Sequence, residues 1–578
     1  VLNTIAKKWI WLAVCVWAMG MLFVSDVHPC VFGDPDADSL TQKVDQLFAS
    51  WDKPDSPGCA LGIIKDGQLI YARGYGMANL EYEIPITAKS IFRIGSTSKQ
   101  FAAMSLALLE EEGQLSLDDS IRKYLPQMPE YAEAISIRHL IHHTSGIRDY
   151  LTLAEIAGLR EDDYFTDAEV VDLLARQKEL NFKPGEEHLY SNSGYFLLSQ
   201  IVKAASGESL REYAEEKIFK PLGMTETHFH DDHTQIVRNR ASGYAPRKGG
   251  GYVISMTTLP MIGDGGVFTC VEDLFLWDQN FYENKLGNRG QALVEKIQMP
   301  GVLNNGEKLD YAFGLGVREY KGLKMVSHGG AFVGYRADMI RFPEQKFSVI
   351  CLANLSSFNP SLMAQKVADI YLSGLFKEKT EKTKRPSPEK PKIIKLTELE
   401  LKTKTGNYYD RERDVLWTVA FEKGQLQVRA PFTRFMIAPI CPARFIAEEV
   451  PFRLEIEFEK KEEDQTYVVH AWIDGKKQGL YEPIQVAKPT AEELNAYVGK
   501  YYSEEVDAAY LLKFQEGRLF LRHANPHKDY PRAALKPTFK DRFQAGRWKL
   551  NFIRGVNQNI IGFKVNAGRV QNIFFEKQ

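Results

Sequence analysis

The sequence predicts an α+β domain, an antiparallel sheet with helices and a helical insert, followed by two antiparallel β-barrel domains. Three observations predict it. Strand-like and helix-like stretches alternate up to Phe376. Residues 377–392 (KEKTEKTKRPSPEKPK) then hold no apolar side chain other than three prolines, so they cannot bury surface and read as an extended, solvated connector. Beyond them the chain repeats itself at an ungapped offset of 93 positions.

Taken in order, residues 1–33 read as a signal peptide or N-terminal anchor. Lys7 and Lys8 precede an uncharged apolar run, residues 9–24, the pattern of a secretory signal. The run is shorter than the roughly 20 residues of a spanning helix. A cut after Gly33 puts Val31 and Gly33 at the small-residue positions. The expected location is therefore periplasmic or extracellular, with membrane attachment only if the segment is uncleaved. Residues 34–376 form the α+β domain. Residues 60–64 and 69–73 flank Lys65-Asp66-Gly67-Gln68, a hairpin signal. Residues 99–112 have helical spacing and Gly113 offers a stop. Residues 348–353 read as a late strand, followed by a helical stretch to Phe376.

The two β units are residues 393–488 and 489–578. Tyr408-Tyr409 matches Tyr501-Tyr502, and the same offset relates Gly406 to Gly499, Phe421 to Phe514, Gly424 to Gly517 and Arg429 to Arg522. Trp417, Val419 and Phe421 alternate as Tyr510, Leu512 and Phe514 do, the period of a half-buried strand. Short strands in units of this size suit a small barrel. Neither copy holds a catalytic cluster.

Composition narrows the class. The 578 residues carry 73 basic and 75 acidic side chains, a net charge of −2, which argues against nucleic-acid binding. A hydrophobic content of 44% and a charged content of 26% exclude wholesale disorder and a multi-span membrane protein. Six cysteines without a C-x-x-C pair assign neither a disulfide framework nor a zinc site. No cofactor is expected, and nothing in the sequence sets an oligomeric state.

The chemistry begins at Ser96-Thr97-Ser98-Lys99. Ser96 would sit at a helix start, where free N–H groups favour a developing oxyanion. Lys99, three residues on, lies on the same face and can take the hydroxyl proton. Tyr190-Ser191-Asn192 precedes another helix. Its phenol can relay protons and its amide can hold substrate or Lys99; the structural alternative is a buried tyrosine and a helix cap. Ser327-His328-Gly329-Gly330-Ala331 lies on a strand-like stretch, where Gly329 and Gly330 would let a substrate backbone approach. The N–H groups of Ser96 and Ala331 would then form an oxyanion hole.

In the order S-x-x-K, Y-x-N, [K/H]-x-G, these motifs resemble the serine β-lactamase-like superfamily: class C β-lactamases, DD-peptidases and D-aminopeptidases. Phe92-Arg93-Ile94-Gly95, His143-Thr144-Ser145-Gly146, Pro221-Leu222-Gly223-Met224 and Gly263-Asp264-Gly265-Gly266 support it. The resemblance covers residues 40 to 376, and the following repeats match the D-aminopeptidase layout of a catalytic domain with two eight-stranded, lipocalin-like barrels. It implies a β-lactamase/transpeptidase-like fold and an acyl-enzyme on Ser96. Lys99 and Tyr190 would share the acid–base work, Asn192 would orient substrate and lysine, His328 would edge the pocket, and Gly330 would open the strand. The implied substrate is a small molecule or short peptide cleaved at an amide bond. His328 stands where the family usually carries lysine, which shifts weight toward aminopeptidase-like or esterase-like substrates.

Other readings compete: a carboxylesterase, a β-lactamase or penicillin-binding sensor, and a metal hydrolase at His228-Phe229-His230-Asp231-Asp232-His233, which has zinc-ligand spacing. That last segment lacks the distant ligands such a site needs and reads as a solvated loop. His142 and His143 read as holding the turn beside them. The polar stretch 523–532 is the candidate barrel loop limiting access to the site.

Overall fold

The computed structural model describes residues 35–160, 163–376, 393–430, 433–448, 453–461, 466–473, 475–526 and 533–578. The apolar run at residues 9–24 and the connector 377–392 lie outside them. The chain divides into two compact units, residues 1–47 and 48–578. The described part of the first lies in the helix Pro35–Phe48.

The second unit opens on a six-stranded sheet. Its order is Gly316–Tyr320, Leu323–Phe332, Tyr335–Phe342, Phe347–Ala353, Cys59–Lys65, Gln68–Tyr75, with every pair antiparallel. Phe347–Ala353 is buried at every position and Cys59–Lys65 at all but its last. A strand buried on both faces reads as a continuous apolar run rather than an alternating one. The helices Val271–Asn280 and Pro360–Leu372 pack on these strands. The first hairpin turns at Asp66 and Gly67, both with positive φ, the geometry of a two-residue hairpin loop.

The helix Lys99–Glu111 is the centre of the helical region. Its sequence KQFAAMSLALLEE has no β-branched residue, and it is buried from Lys99 to Leu109. It packs against the helix Asn192–Ser206. These two helices start beside each other at the serine and the tyrosine motifs.

The duplication is visible bond for bond. Helices Glu398–Lys402 and Ala491–Asn495 each begin with a capping box, Thr397 with Glu400 and Thr490 with Glu493. Tyr408 donates to the Lys404 carbonyl at 2.9 Å, and Tyr501 to that of Tyr497 at 2.8 Å. Tyr409 bonds Asp414 as Tyr502 bonds Asp507. The first copy is a closed eight-stranded barrel, from Gly406–Asp410 to Lys476–Ile484. The second departs from the expected eight strands: its sheet has nine, with Ala533–Ala534 and Lys536–Phe539 at the two edges. Leu535 alone separates those edges in sequence, so the barrel is nearly closed.

The copies differ in attachment. The first has its own core around Trp417, Val428, Ile456 and Phe458. The core of the second, including Tyr501, Tyr510, Trp548 and Phe575, is continuous with that of the α+β domain. Arg148, 1% exposed, pairs with Glu505, 5% exposed, at 2.5 Å. Gln177 accepts from Arg148 at 3.0 Å, and Lys178 N donates to Glu505 at 3.0 Å. Tyr510 Oη donates to the Ile156 carbonyl at 2.9 Å. Arg547 and Trp548 both donate to Glu155.

Removing one member of a buried pair strands the other charge, at a cost of about 3–5 kcal/mol. Glu505→Ala is therefore expected to lower the urea midpoint substantially, while Glu504→Ala, which breaks only the exposed pair with Lys178, leaves it in place. Equal midpoints for the two variants would refute the docking role of Arg148–Glu505.

Candidate active site

Gly95–Ser98 forms one 3-10 turn leading into the helix Lys99–Glu111. The three-residue spacing brings Lys99 Nζ to 3.3 Å from Ser96 Oγ. The serine is half-buried, whereas Lys99 is 0% exposed. Thr97 Oγ1 donates to the His328 carbonyl at 3.1 Å, and Ser98 Oγ accepts from Val267 N at 3.0 Å. The turn is thereby tied to the strand Leu323–Phe332 and to the loop ahead of Val267.

Two glycines permit that contact. Gly95 has φ +52°, and a Cβ there would stand 2.8 Å from Ala331 N. A Cβ on Gly330 would meet the Ile94 carbonyl oxygen at 1.8 Å. The missing side chain of Gly330 thus makes room for the turn that carries Ser96, a neighbour the sequence reading did not name. Gly329 is exposed, and a Cβ there would have only ordinary contacts.

Lys99 Nζ has three partners: Ser96 Oγ, Asn192 Oδ1 at 3.0 Å and the Asp264 carbonyl oxygen at 2.5 Å. The amide and carbonyl oxygens can only accept. Nζ donates to both of them and to the serine hydroxyl. Asp264, in the Gly263-Asp264-Gly265-Gly266 segment, takes part through its backbone, while its carboxylate accepts from Tyr150 Oη at 3.1 Å.

The tyrosine motif is anchored at two backbone nitrogens. Ser191 N donates to His143 Nδ1 at 3.2 Å, and Asn192 N to Asp149 Oδ2 at 2.8 Å. The His143 ring thus holds the tyrosine-motif loop rather than the turn beside it, which the sequence reading had expected. Asn192 is the first residue of its helix rather than the cap, which is Ser191; its side chain is left free for Lys99. The Tyr190 ring lies 4.8 Å from Lys99 Nζ, and its centroid lies 4.2 Å from that of His143.

Hydrogen bonding selects one tautomer of the neutral His328 ring. Its Nδ1 lies 2.7 Å from the Gly329 carbonyl oxygen, which can only accept, so Nδ1 carries the proton. Nε2 then accepts from Tyr311 Oη at 3.0 Å. Burial, and next the charge of Lys99, push His328 down to about 3. Burial pushes the Tyr311 phenol up, so it keeps its proton.

The second barrel reaches this site through its turn at residues 568–569. The Arg569 guanidinium lies 4.7 Å from the Tyr190 ring centroid and 3.6 Å from Asp149 Oδ2. Asn181 Nδ2 donates to the Arg569 carbonyl at 2.9 Å. Of the loop expected to reach the site, residues 527–532 lie outside the described residues. A cavity of about 50 Å³ at Ser96 shares the walls Leu151, Asn192, Leu259 and Phe332 with one of about 580 Å³ that extends to Arg547 and Arg569. A larger cavity, about 850 Å³, lies at the first barrel around Tyr467 and Trp472, but it contains no serine–lysine pair. Ser96 of the S-x-x-K motif, with Lys99 beside it, lines the small cavity.

The H-x-H-x-D-H segment is not arranged as a metal centre. His228 Nε2 and His230 Nδ1 lie 3.3 Å apart, and Asp231 pairs with Arg211 at 2.5 Å. Among the described residues, no group of three or more histidine, cysteine, aspartate and glutamate side chains is placed to hold an ion.

Residues 41–371 match the beta-lactamase family model. The chain belongs to the beta-lactamase family. Penicillin-binding protein 4* of Bacillus subtilis (strain 168) is 32% identical over 345 residues, 57% of this chain and 74% of that protein. A D-aminopeptidase of Brucella anthropi is 24% identical over 532 residues, 90% of this chain and 95% of its own length, so that alignment extends across both barrels. Among solved structures, the octameric penicillin-binding protein homologue from Pyrococcus abyssi is 26% identical with a TM-score of 0.54, covering 77% of this chain and 100% of that one. A class C beta-lactamase, 23% identical with a TM-score of 0.50 over 60% of this chain and 99% of its own, shares the fold. This beta-lactamase-family chain is a serine hydrolase. Asp149, Asp264, Tyr311 and Arg569 escaped the sequence reading; of these, only Asp264 lay in a segment the sequence had marked.

The neutral histidines give this enzyme a pH signature. His142 and His228 are held down to about 4, and His230 and His328 to about 3, in each case chiefly by burial. Below the ordinary value of 6.5 the unfolded chain binds protons that the folded chain refuses, so stability falls with pH through that window. Melting temperature is expected to drop progressively from about pH 7 to about pH 4.5, less steeply in His328→Gln. Equal slopes in wild type and variant would refute neutral burial of His328.

Proposed function

We propose that this hydrolase cleaves amide bonds of short peptides or aminoacyl derivatives, in the manner of a D-aminopeptidase, through an acyl-enzyme on Ser96. The observation that carries the reading is the three-partner setting of Lys99, which holds its Nζ 3.3 Å from Ser96 Oγ. Ser96 Oγ attacks the carbonyl carbon as its proton passes to Lys99 Nζ. The oxyanion forms beside the N–H groups of Ser96 and Ala331, the latter packed against Gly95. Collapse breaks the C–N bond, and the amine leaves with a proton from the Lys99–Tyr190 pair. Water then attacks the ester, and Ser96 regains its proton.

The D-aminopeptidase relative, aligned through both barrels, supports the amide reading, as does the barrel turn that brings Arg569 to Tyr190. A neutral His328 favours the esterase reading over carboxypeptidase or β-lactamase action, because it presents no fixed cation to a substrate carboxylate.

The test is a panel of D- and L-aminoacyl p-nitroanilides, p-nitrophenyl esters, D-Ala-D-Ala peptides and a cephalosporin. Ser96→Ala is expected to lose roughly 10³-fold or more in kcat, with anilides or esters turned over faster than the cephalosporin. Undiminished activity in Ser96→Ala would refute the mechanism, and preferential cephalosporin hydrolysis would refute the substrate class. Arg569→Ala is expected to raise kcat/KM for longer peptides relative to short ones; an unchanged ratio would refute the barrel turn as a limit on substrate length.

A further inference from the structure

Beside the nucleophile's turn lies a cavity of about 230 Å³ that the proposed reaction does not use. Its cationic walls are Arg93 and Arg240, with His230 and His233 alongside, and no carboxylate among the described residues lines it. Arg93 sits on the short strand Phe92–Arg93, three residues before Ser96, and is 5% exposed. Its Nε is buried without a partner, and among the described residues its guanidinium donates no hydrogen bond. It is held by ring faces instead, 5.3 Å from the Phe332 centroid and 5.9 Å from that of Phe268. Arg240 lies on the same Phe268 ring at 5.7 Å. Its hydrogen-bond partner is the weak acceptor Met256 Sδ, at 3.8 Å.

Two guanidiniums sharing one ring repel each other, and a buried cation without a counter-charge is strongly unfavourable. The carboxylate of Asp264 bears on Arg93 electrostatically, but its oxygen is bonded to Tyr150 and no ion pair forms. The planar N–H forks of both arginines are therefore available to one class of ligand, a planar or tetrahedral oxyanion. Arg93 also lines the small cavity that holds Ser96, so a group held here abuts the reacting centre. The strand carrying Arg93 pairs with Val267–Thr269, whose first residue donates to Ser98.

We propose that Arg93 and Arg240 form an oxyanion-binding subsite, for a carboxylate or phosphate group, separate from the acyl-transfer machinery and adjoining it through Arg93. The group comes from one of two sources: a carboxylate that the substrate carries away from its scissile bond, or a free anion. The first source rests on the hydrolytic reading above; the binding itself does not.

The test uses the purified full chain. Melting temperature is followed during titration with phosphate and, separately, succinate, with ionic strength held constant by sodium chloride. A saturable rise is expected, with the half-saturating concentration raised roughly tenfold or more in Arg240→Gln and unchanged in Arg318→Gln, an exposed arginine paired with Asp310. A response equal to that of chloride, or the same response in Arg240→Gln, overturns the proposal. Should Arg240→Gln fail to fold, Arg240→Lys keeps the charge and removes the fork; an undiminished response there also overturns it. The sources separate in kinetics on an acyl anilide bearing a terminal carboxylate and on its amide. Phosphate raising KM for the carboxylate substrate alone, with kcat unchanged, identifies the substrate's own group; an equal effect on both identifies a free anion. Because melting reads binding without turnover, its failure is distinguishable from that of the Ser96 mechanism.

Discussion

Lys99 is the constraint around which the site is organised. An amine with no exposed surface must have every donor met. Its partners come from three separated parts of the chain: the turn at Ser96, the helix start at Asn192 and the loop at Asp264. Satisfying one lysine thereby fixes the relative positions of three segments, and each has its own tether. Ser98 is tied to Val267, Thr97 to His328, Asn192 to Asp149. The catalytic geometry is in this sense a by-product of burying a cation-forming group properly. Loss of any single partner would leave the amine free to turn away from the serine.

The barrels show how one ancestral unit acquires two relations to a neighbouring domain. Glu412 in the first copy is exposed, whereas Glu505, its counterpart 93 positions on, closes a buried ion pair with Arg148. Trp417 stacks on Tyr481 inside its own barrel, with centroids 4.1 Å apart, whereas Tyr510 sends its hydroxyl to Ile156. The β pattern is shared because it answers to the barrel's own interior. The docking residues answer to a different surface and have diverged. The first barrel meets the second through Tyr409 on Phe539 and Lys549 on Asp414, so it adjoins the domain's partner rather than the reacting groups.

What was legible in the sequence follows the range of the interaction. Ser96 and Lys99 are three residues apart, and helical geometry alone brings them together. The hairpin at Asp66-Gly67 and the duplicated strands are likewise local. Asp264 acts through a carbonyl oxygen, which every residue has, so its side chain gave no sign of that role. Asp149 and Arg569 matter only because the helix start and the barrel turn meet them, contacts between residues hundreds of positions apart in the latter case. Gly330 was recognised as a point of close approach but its neighbour, the turn that carries Ser96, was not, since a glycine advertises a close approach without saying of what. The histidine-rich loop had the spacing of a metal site, yet its carboxylate was taken by Arg211 and two of its rings lie against Phe268.

The third motif explains why charge, rather than the nucleophile, governs what this site can accept. A lysine at position 328 would place a permanent cation on the strand edge. His328 does not, because burial holds its imidazole down to about 3. Lys99 is itself committed to three partners and is unavailable to substrate. Positive charge in the cleft therefore stands on either side of the reacting centre, at Arg93 in the wall and at Arg569 from the barrel. The second barrel thus supplies Arg547 and Arg569 to the wall of the adjoining cavity, and its core is continuous with that of the α+β domain.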